Sequence, residues 1–213
     1  MPFFPHQAAN SCLRRARRLL NVARTQGTGS RARDDLRRMA LVMGVTAIDS
    51  YMHGIIYRRL SDVRWKKALP KALRTLQISF EDFAALADAS IDAQREGRRS
   101  RPWVQVKNVV HSVLLTQTFQ SFEQIGRAFA LSGIEKGWAK VSDEIGEPAQ
   151  TIKNRLNPLV HRRNQIVHEG DMARMSRPQK LSFNSIDKAA VADDLDWIEK
   201  LLTGIQAVVD AEQ

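Results

Sequence analysis

Residues 163–171 read Arg-Asn-Gln-Ile-Val-His-Glu-Gly-Asp, and they place an arginine where a helix should carry an apolar side chain. Asn157 and Pro158 come just before as a helix cap and a first helical residue, so we predict a helix from about residue 158 to His168 that stops near Gly170. One face of this helix is apolar and is expected to pack inward, with Arg163 in its middle. The residues on that face are Leu156, Leu159, Val160, Arg163, Ile166 and Val167.

Arg163 needs a compensating partner, because burying an unpaired guanidinium costs about several kcal/mol. The charge is compensated by a carboxylate, by water in a cleft or by an anion such as phosphate. Asp49, on a predicted long helix, is a candidate carboxylate. The alternative is that Arg163 and His168 only place positive charge against the helix dipole, with Arg163 paired to an internal acid. The spacing alone does not separate these interpretations.

His168 ends the predicted helix, where an imidazole is able to give and take a proton near neutral pH. It follows Arg163 by five residues, which corresponds to about 140° around a straight helix. One helix therefore does not align the two side chains. His161 and Asn164 share a second, polar stripe with His168, and we expect this stripe to line a cleft.

The chain carries a strong positive charge. It has 213 residues, with 33 lysines and arginines against 23 acids, a formal net charge of +10 and a pI of about 10.2. This balance favours a polyanion, and RNA or DNA is the natural partner. We predict RNA contacts from basic clusters in a loop and in the key helix, although a charge run alone is usually a solvated face. These residues are Arg98, Arg99, Arg101, His161 and Arg162.

The remaining composition predicts a soluble cytoplasmic protein without a metal or another cofactor. Cys12 is the only cysteine, and the start of the chain lacks the pattern of a signal peptide. No apolar stretch approaches the roughly 20 residues of a membrane span, since the longest are interrupted by Gly44, Asp49 or His53. The histidines form no zinc pattern, and no glycine-rich phosphate loop follows a strand.

Strand signals are almost absent, so we predict an all-α protein. An Arg-rich extension over residues 1–30 contains a helix from about 8 to 25, and a helical domain over 31–213 begins with a long helix to about 60. Ser79 is expected to cap a helix to about residue 95. Its predicted inward side chains are Phe83, Leu86 and Ala87.

Further helices are predicted towards the C-terminus. A helix or helix pair spans about 103–131, and a short helix lies around Trp138. After the key helix, Ser185 is expected to cap the last amphipathic helix.

The chain resembles the HEPN superfamily of helical bundles, and within it the RiboL-PSP-HEPN group. The motif of that family, Arg-Asn-x-x-x-His, is matched by Arg163, Asn164 and His168. The resemblance extends to residues 47–51, which read Ala-Ile-Asp-Ser-Tyr, and to residues 118–125, Trp138 and 162–171. It covers roughly residues 33–208 and leaves out the Arg-rich first helix.

The resemblance implies a bundle of four to six helices that forms a homodimer, with the two motif helices facing each other across one composite cleft. It implies a metal-independent endoribonuclease of a toxin or antiviral defence system, with catalytic Arg163, Asn164 and His168 and a 2′,3′-cyclic phosphate product. An antitoxin or another defence-system protein is then a possible partner. Other members of the family only bind nucleotides or have lost activity.

Two alternatives stay open. One is a non-catalytic HEPN-like module that binds RNA or a protein through the same cleft. The other is a DNA-binding regulator that uses Arg14, Arg15, Arg17 and Arg18 of the first helix, although no helix-turn-helix spacing supports it.

Overall fold

The computed structural model describes residues 4–27, 29–61, 69–97, 102–173 and 182–212, except the side chain of Pro102. Within them the regular structure is helical, apart from an isolated β-bridge between Met172 and Phe183. The all-α prediction is confirmed. The helices are α1 (Pro5–Ala23), α2 (Arg31–Ser61), α3 (Lys71–Arg74), α4 (Phe80–Arg95), α5 (Pro102–Leu115), α6 (Phe122–Leu131), α7 (Gly137–Ile145), α8 (Ala149–Glu169) and α9 (Lys188–Ala211).

The long helix α2 forms the centre of the bundle and packs against α1, α5, α6, α8 and α9. Its observed bounds confirm the predicted helix from 31 to about 60. At Gly44 the approach of α9 is close, since an added Cβ would lie 2.5 Å from Cδ2 of Leu195. The buried apolar side chains of α2 lie on several of its faces, because neighbouring helices surround it.

Among the described helices, α2 has the length and apolar composition of a membrane span, contrary to the expectation from the sequence. However, 67% of its most apolar window is buried inside the bundle, as in the core helix of a soluble protein. Although α2 contains Gly44, Asp49 and His53, its composition is still that of a possible membrane span.

The Arg-rich helix α1 packs along α2 and also contacts α9. One face is buried at helical spacing, and four of its residues, Ala9, Leu13, Ala16 and Leu20, belong to the same core as those of α2. At one edge of this face, Arg17 contacts Asp196 at 2.8 Å and Glu199 at 2.6 Å, both on α9. Separate domains over 1–30 and 31–213 stay a prediction. The buried residues of α1 are Pro5, Ala9, Leu13, Ala16, Leu20 and Ala23.

Helix α4 begins as predicted, because Oγ of Ser79 accepts a hydrogen bond from the amide of Asp82 at 3.0 Å. The predicted inward packing is wrong for Phe83 and Ala87. Phe83 is 58% exposed, Leu86 is only half-buried and Ala87 is exposed, and no residue of α4 is fully buried. Helix α4 packs against α5, and the opposite apolar stripe faces solvent.

The region from α5 to α7 contains the predicted helix pair and the short helix around Trp138. Ser121 and Gln124 form a capping box at the start of α6. The indole of Trp138 stacks on Phe122 with ring centroids 4.2 Å apart, and its Nε1 donates to the carbonyl of Phe122 at 2.9 Å. These contacts join α6 to α7.

The last helix, α9, begins later than predicted. Asp187, rather than Ser185, caps it by accepting a hydrogen bond from the amide of Ala190 at 2.9 Å. The carbonyl of Ser185 instead accepts a hydrogen bond from Arg162 at 3.0 Å. The segment before α9 is therefore attached to α8.

Candidate functional site

The helix that carries the motif, α8, is longer than predicted. It begins at Ala149, and Pro158 lies inside it rather than at its start. Pro158 predicts a helix start because its fixed φ suits a first helical turn, but here it lies within the helix, where a proline removes one backbone hydrogen bond. The side chain of Asn157 does not cap the helix, because its Oδ1 accepts from the amide of Phe122 at 3.0 Å. The predicted end is confirmed, with Gly170 in the left-handed conformation at φ 60°.

The inner face of α8 is formed by Ile152, Leu156, Leu159 and Val160, which are buried. Nearer the C-terminus the helix emerges from the core. Ile166 is half-buried, and Val167 is 46% exposed although it was expected to point inward. The polar stripe of His161, Asn164 and His168 is exposed, and the cleft that it was expected to line stays a prediction.

Arg163 is half-buried at the edge of this emerging turn. Its Nη1 donates to Oδ1 of Asn164 at 3.1 Å, whereas its Nε is buried and has no hydrogen-bond partner. No carboxylate of the described residues pairs with it. The guanidinium is therefore incompletely satisfied within one chain.

Asp49 does not serve as the predicted partner of Arg163. Its Oδ1 accepts a hydrogen bond from the amide of Phe119 at 2.6 Å and lies 3.8 Å from Nε2 of His53. Asp49 thus holds the segment between α5 and α6 against α2. The sequence carries no local signal for this contact, because its two partners are 70 positions apart.

His168 lies on the last turn of α8, is exposed, and makes no hydrogen bond to any described residue. Asn164 lies one turn before it on the same stripe. From Arg163, His168 is separated by about 140° around the helix and about 7.5 Å along its axis. A single chain therefore brings Arg163 and Asn164 together but does not bring the imidazole to the guanidinium.

Arg162 is used differently from the RNA contact that we predicted. Its Nη1 lies 2.8 Å from Oδ1 of Asp171, and its Nη2 donates to Oδ2 of the same carboxylate at 2.9 Å. A guanidinium fork held by both carboxylate oxygens is a strong, oriented contact. Within the chain Arg162 therefore has a structural role, and its contact with RNA stays a prediction.

Asp171 is fully buried and forms the centre of a network that the sequence did not reveal. Besides Arg162, it accepts a hydrogen bond from Nε of Arg38 at 2.6 Å and from Nδ2 of Asn184 at 3.2 Å. Its backbone is left-handed at φ 59°, and its carbonyl accepts from the amide of Asn184 at 3.0 Å. The network joins α2, the end of α8 and the segment before α9. Its central residue, Asp171, follows His168 by three positions.

One signal for this network was present in the sequence. Arg38 lies on the same helical face as Leu41, Val42 and Val45, so it is a second arginine on an apolar face. A buried arginine requires an acid, and Asp171 follows the end of the motif helix closely.

The other predicted contacts are placed as follows. Arg98, Arg99 and Arg101 lie outside the described residues. His161 lies on the exposed stripe, one turn before Asn164. In the part of the chain that the structure describes, no three His, Cys, Asp or Glu side chains gather where they would hold a metal ion.

Comparison with known proteins gives one match. The family model described as RiboL-PSP-HEPN matches residues 10–210. The match begins inside α1 and is thus longer than the range of about 33–208 expected from the sequence. No curated protein and no solved structure matches the chain at a significant level.

Proposed function

Because the chain belongs to the RiboL-PSP-HEPN family, we propose that it is a metal-independent endoribonuclease with Arg163, Asn164 and His168 in its active site. Family membership is consistent with a role in RNA cleavage or nucleotide binding. The observation that carries the finer proposal is an arginine without a carboxylate partner among the described residues, on the same exposed end of α8 as an accessible imidazole.

The contrast between two adjacent arginines supports this reading of Arg163. Arg162 has both terminal nitrogens on Asp171, so its charge is compensated inside the chain. Arg163 has only the neutral amide oxygen of Asn164 and leaves its Nε without an acceptor. An unsatisfied buried donor costs about 1–3 kcal/mol within the chain, and the uncompensated charge of the guanidinium is suited to binding a phosphate.

The geometry of α8 favours a site completed by a second copy of the chain. Arg163 and His168 point about 140° apart on one helix. Two α8 helices that face each other would place Arg163 of one copy opposite His168 of the other. The exposed Val167 between the polar side chains would then be covered by the partner helix.

The chemistry proposed for this composite cleft needs only the groups present and water. His168 takes the proton of an RNA 2′-hydroxyl while water protonates the departing 5′-oxygen, or His168 protonates the 5′-oxygen while water takes the 2′ proton. In both cases Arg163 stabilises negative charge on the phosphate. The 2′-oxygen bonds to phosphorus and the bond from phosphorus to the 5′-oxygen breaks. The products are a 2′,3′-cyclic phosphate and a 5′-hydroxyl end. Asn164 orients the guanidinium of Arg163 through their hydrogen bond.

The test compares wild-type protein with His168→Ala on labelled tRNA and mRNA in the presence of a chelator. His6→Ala is the matched control, because His6 is an exposed histidine on α1, which does not pack against α8. We expect His168→Ala to lower the cleavage rate about 10²- to 10⁴-fold while RNA binding is kept. Full cleavage by His168→Ala would refute the proposal, and loss of cleavage in the chelator would indicate a metal mechanism.

RNA binding without cleavage by the wild-type protein would favour the non-catalytic alternative. A toxin or antiviral setting in the cytoplasm, under the control of an antitoxin or another defence-system protein, belongs to the same proposal. We expect expression of the wild-type chain, but not of His168→Ala, to arrest growth and to yield RNA fragments with cyclic phosphate ends.

A further inference from the structure

The surface helix α4 carries an apolar stripe that no described part of the chain covers. Phe80 is 83% exposed, Phe83 is 58% exposed and Ile91 is 47% exposed. With the half-buried Ala84 and the exposed Ala87 they follow the i, i+3, i+4, i+7, i+11 spacing of one helical face. We call these five residues the Phe80 stripe. It is about 16 Å long, enough for three turns of a partner helix.

The fold does not require this stripe. The opposite side of α4, with the half-buried Leu86, Ala89 and Ala93, faces α5, and no residue of α4 belongs to the core. The helix is stabilised locally by its Ser79 cap and by acids in its first turn. A contiguous exposed apolar face of this kind marks an interaction surface.

The charges beside the stripe identify the partner. Glu81, Asp88 and Asp92 lie along one edge of the Phe80 stripe, and the only base on that edge is Arg95, 3.9 Å from Asp92. Although the whole chain has a net charge of +10, α4 is acidic. This edge repels RNA and anionic lipid, and it attracts a basic surface.

A second copy of the chain fits this surface poorly. Antiparallel pairing of two α4 helices about a twofold axis would bring the two acidic edges to the same side, where they repel. Parallel pairing would leave each acidic edge without an opposite charge. A partner helix with lysines or arginines beside an apolar stripe satisfies both the apolar face and the edge.

We propose that the Phe80 stripe binds a basic amphipathic helix of a different protein. The apolar side chains of that helix pack on Phe80, Phe83 and Ile91, and its basic side chains face Glu81, Asp88 and Asp92. The surface lies on α4, which packs against α5, whereas α8 packs against α2, α6 and α7. The proposal does not depend on ribonuclease activity.

The test uses a fluorescein-labelled synthetic helix of about five turns, with leucines at the spacing of the stripe and lysines beside them. A second peptide carries glutamate at every lysine position. Fluorescence anisotropy measures both against wild-type protein and against Phe80→Ser/Phe83→Ser. The control is Val22→Ser, an exposed apolar side chain on α1. We expect the lysine peptide to bind at least about tenfold more tightly, and the phenylalanine variant alone to lose binding.

Charge reversal gives a readout that misfolding does not imitate. The variant Glu81→Lys/Asp88→Lys/Asp92→Lys should prefer the glutamate peptide. Equal binding of the two peptides by wild-type protein would overturn the proposal, as would unchanged binding by Phe80→Ser/Phe83→Ser. Self-association of wild-type protein that is lost in the same variant would assign the stripe to a second copy and would also overturn it.

Discussion

Nε of Arg38 lies 2.6 Å from Oδ2 of Asp171, and both residues are buried although 133 positions separate them in the chain. Arg162 contacts the same carboxylate from the motif helix. Two guanidinium groups therefore share one buried acid directly after the turn that carries His168. This arrangement fixes the end of α8 to α2, so the exposed imidazole extends from a rigid support.

The first prediction concerns the stability that this carboxylate supplies. Asp171→Asn keeps the shape of the side chain and tolerates the left-handed backbone, but it removes the charge that compensates two arginines. We expect the free energy of unfolding to fall by about 3–5 kcal/mol in urea titrations.

Asp35→Asn is the control for Asp171→Asn, because Asp35 contacts the same Arg38 at 3.0 Å from an exposed position. Exposed pairs contribute less than about 1 kcal/mol. Equal losses in the two variants would contradict a special role for the buried contact.

The sequence predicted most helices because their signals are local. The bounds of α2, the Ser79 cap and the end of α8 at Gly170 each depend on residues within a few positions. The start of α8 predicted from Pro158 is wrong, because packing of the helix outweighs this local signal for a helix start. Leu156 and Leu159, on either side of it, are both buried and keep the helix continuous.

The second prediction separates the two adjacent arginines of the motif helix. Arg162→Met keeps the aliphatic stem but removes the fork on Asp171, so the free energy of unfolding should fall by about 1.5–3 kcal/mol. Arg163→Met removes no ion pair to a described residue and takes away a buried donor that has no acceptor, so the free energy of unfolding should stay the same or rise.

Cleavage should respond in the opposite way. Arg163→Met should lower the cleavage rate about 10²- to 10³-fold, as expected for loss of a group that stabilises developing charge. Arg162→Met should retain cleavage at temperatures where it is folded. Thermal unfolding and RNA cleavage measured on the same preparations check both statements. Similar profiles for the two variants would refute the assigned division of roles.

The sequence alone does not predict the different roles of these two arginines. Arg162 and Arg163 have the same chemistry, and only a rotation of about 100° directs one to Asp171 and leaves the other without an acid. In α4 the difficulty was similar, since periodicity identifies apolar stripes but not which side packs. Leu86 lies towards α5, whereas Phe80 and Phe83 point to solvent.

The third prediction concerns acid stability through Glu147. This carboxylate accepts a hydrogen bond from Lys200 at 2.6 Å, which is the main cause that lowers its pKa below the usual range. A second hydrogen bond, from Nε1 of Trp197, lowers the pKa further. Since the pKa is lower in the folded than in the unfolded chain, the contribution to stability is present above about pH 4.3 and is lost as pH falls through the folded pKa.

Glu147→Gln should therefore destabilise the protein at pH 6 and much less at pH values below the folded pKa. Urea unfolding from about pH 3 to 6 measures the difference. Lys200→Met should reproduce most of it, and the double variant should add little, because both changes remove one interaction. A difference that is constant across the pH range would contradict this account.

The last prediction tests whether the active site is shared between two copies. If each site takes Arg163 from one subunit and His168 from the other, a mixed dimer of Arg163→Ala and His168→Ala chains contains one intact site and one doubly defective site. Random mixing makes half of the dimers mixed, so cleavage should recover to about a quarter of the wild-type rate. Light scattering first establishes the dimer, and each variant alone serves as the inactive control. If the mixture is no more active than its components, a site that takes Arg163 from one subunit and His168 from the other is excluded. The site then lies within one chain, or it needs Arg163 and His168 of both subunits together.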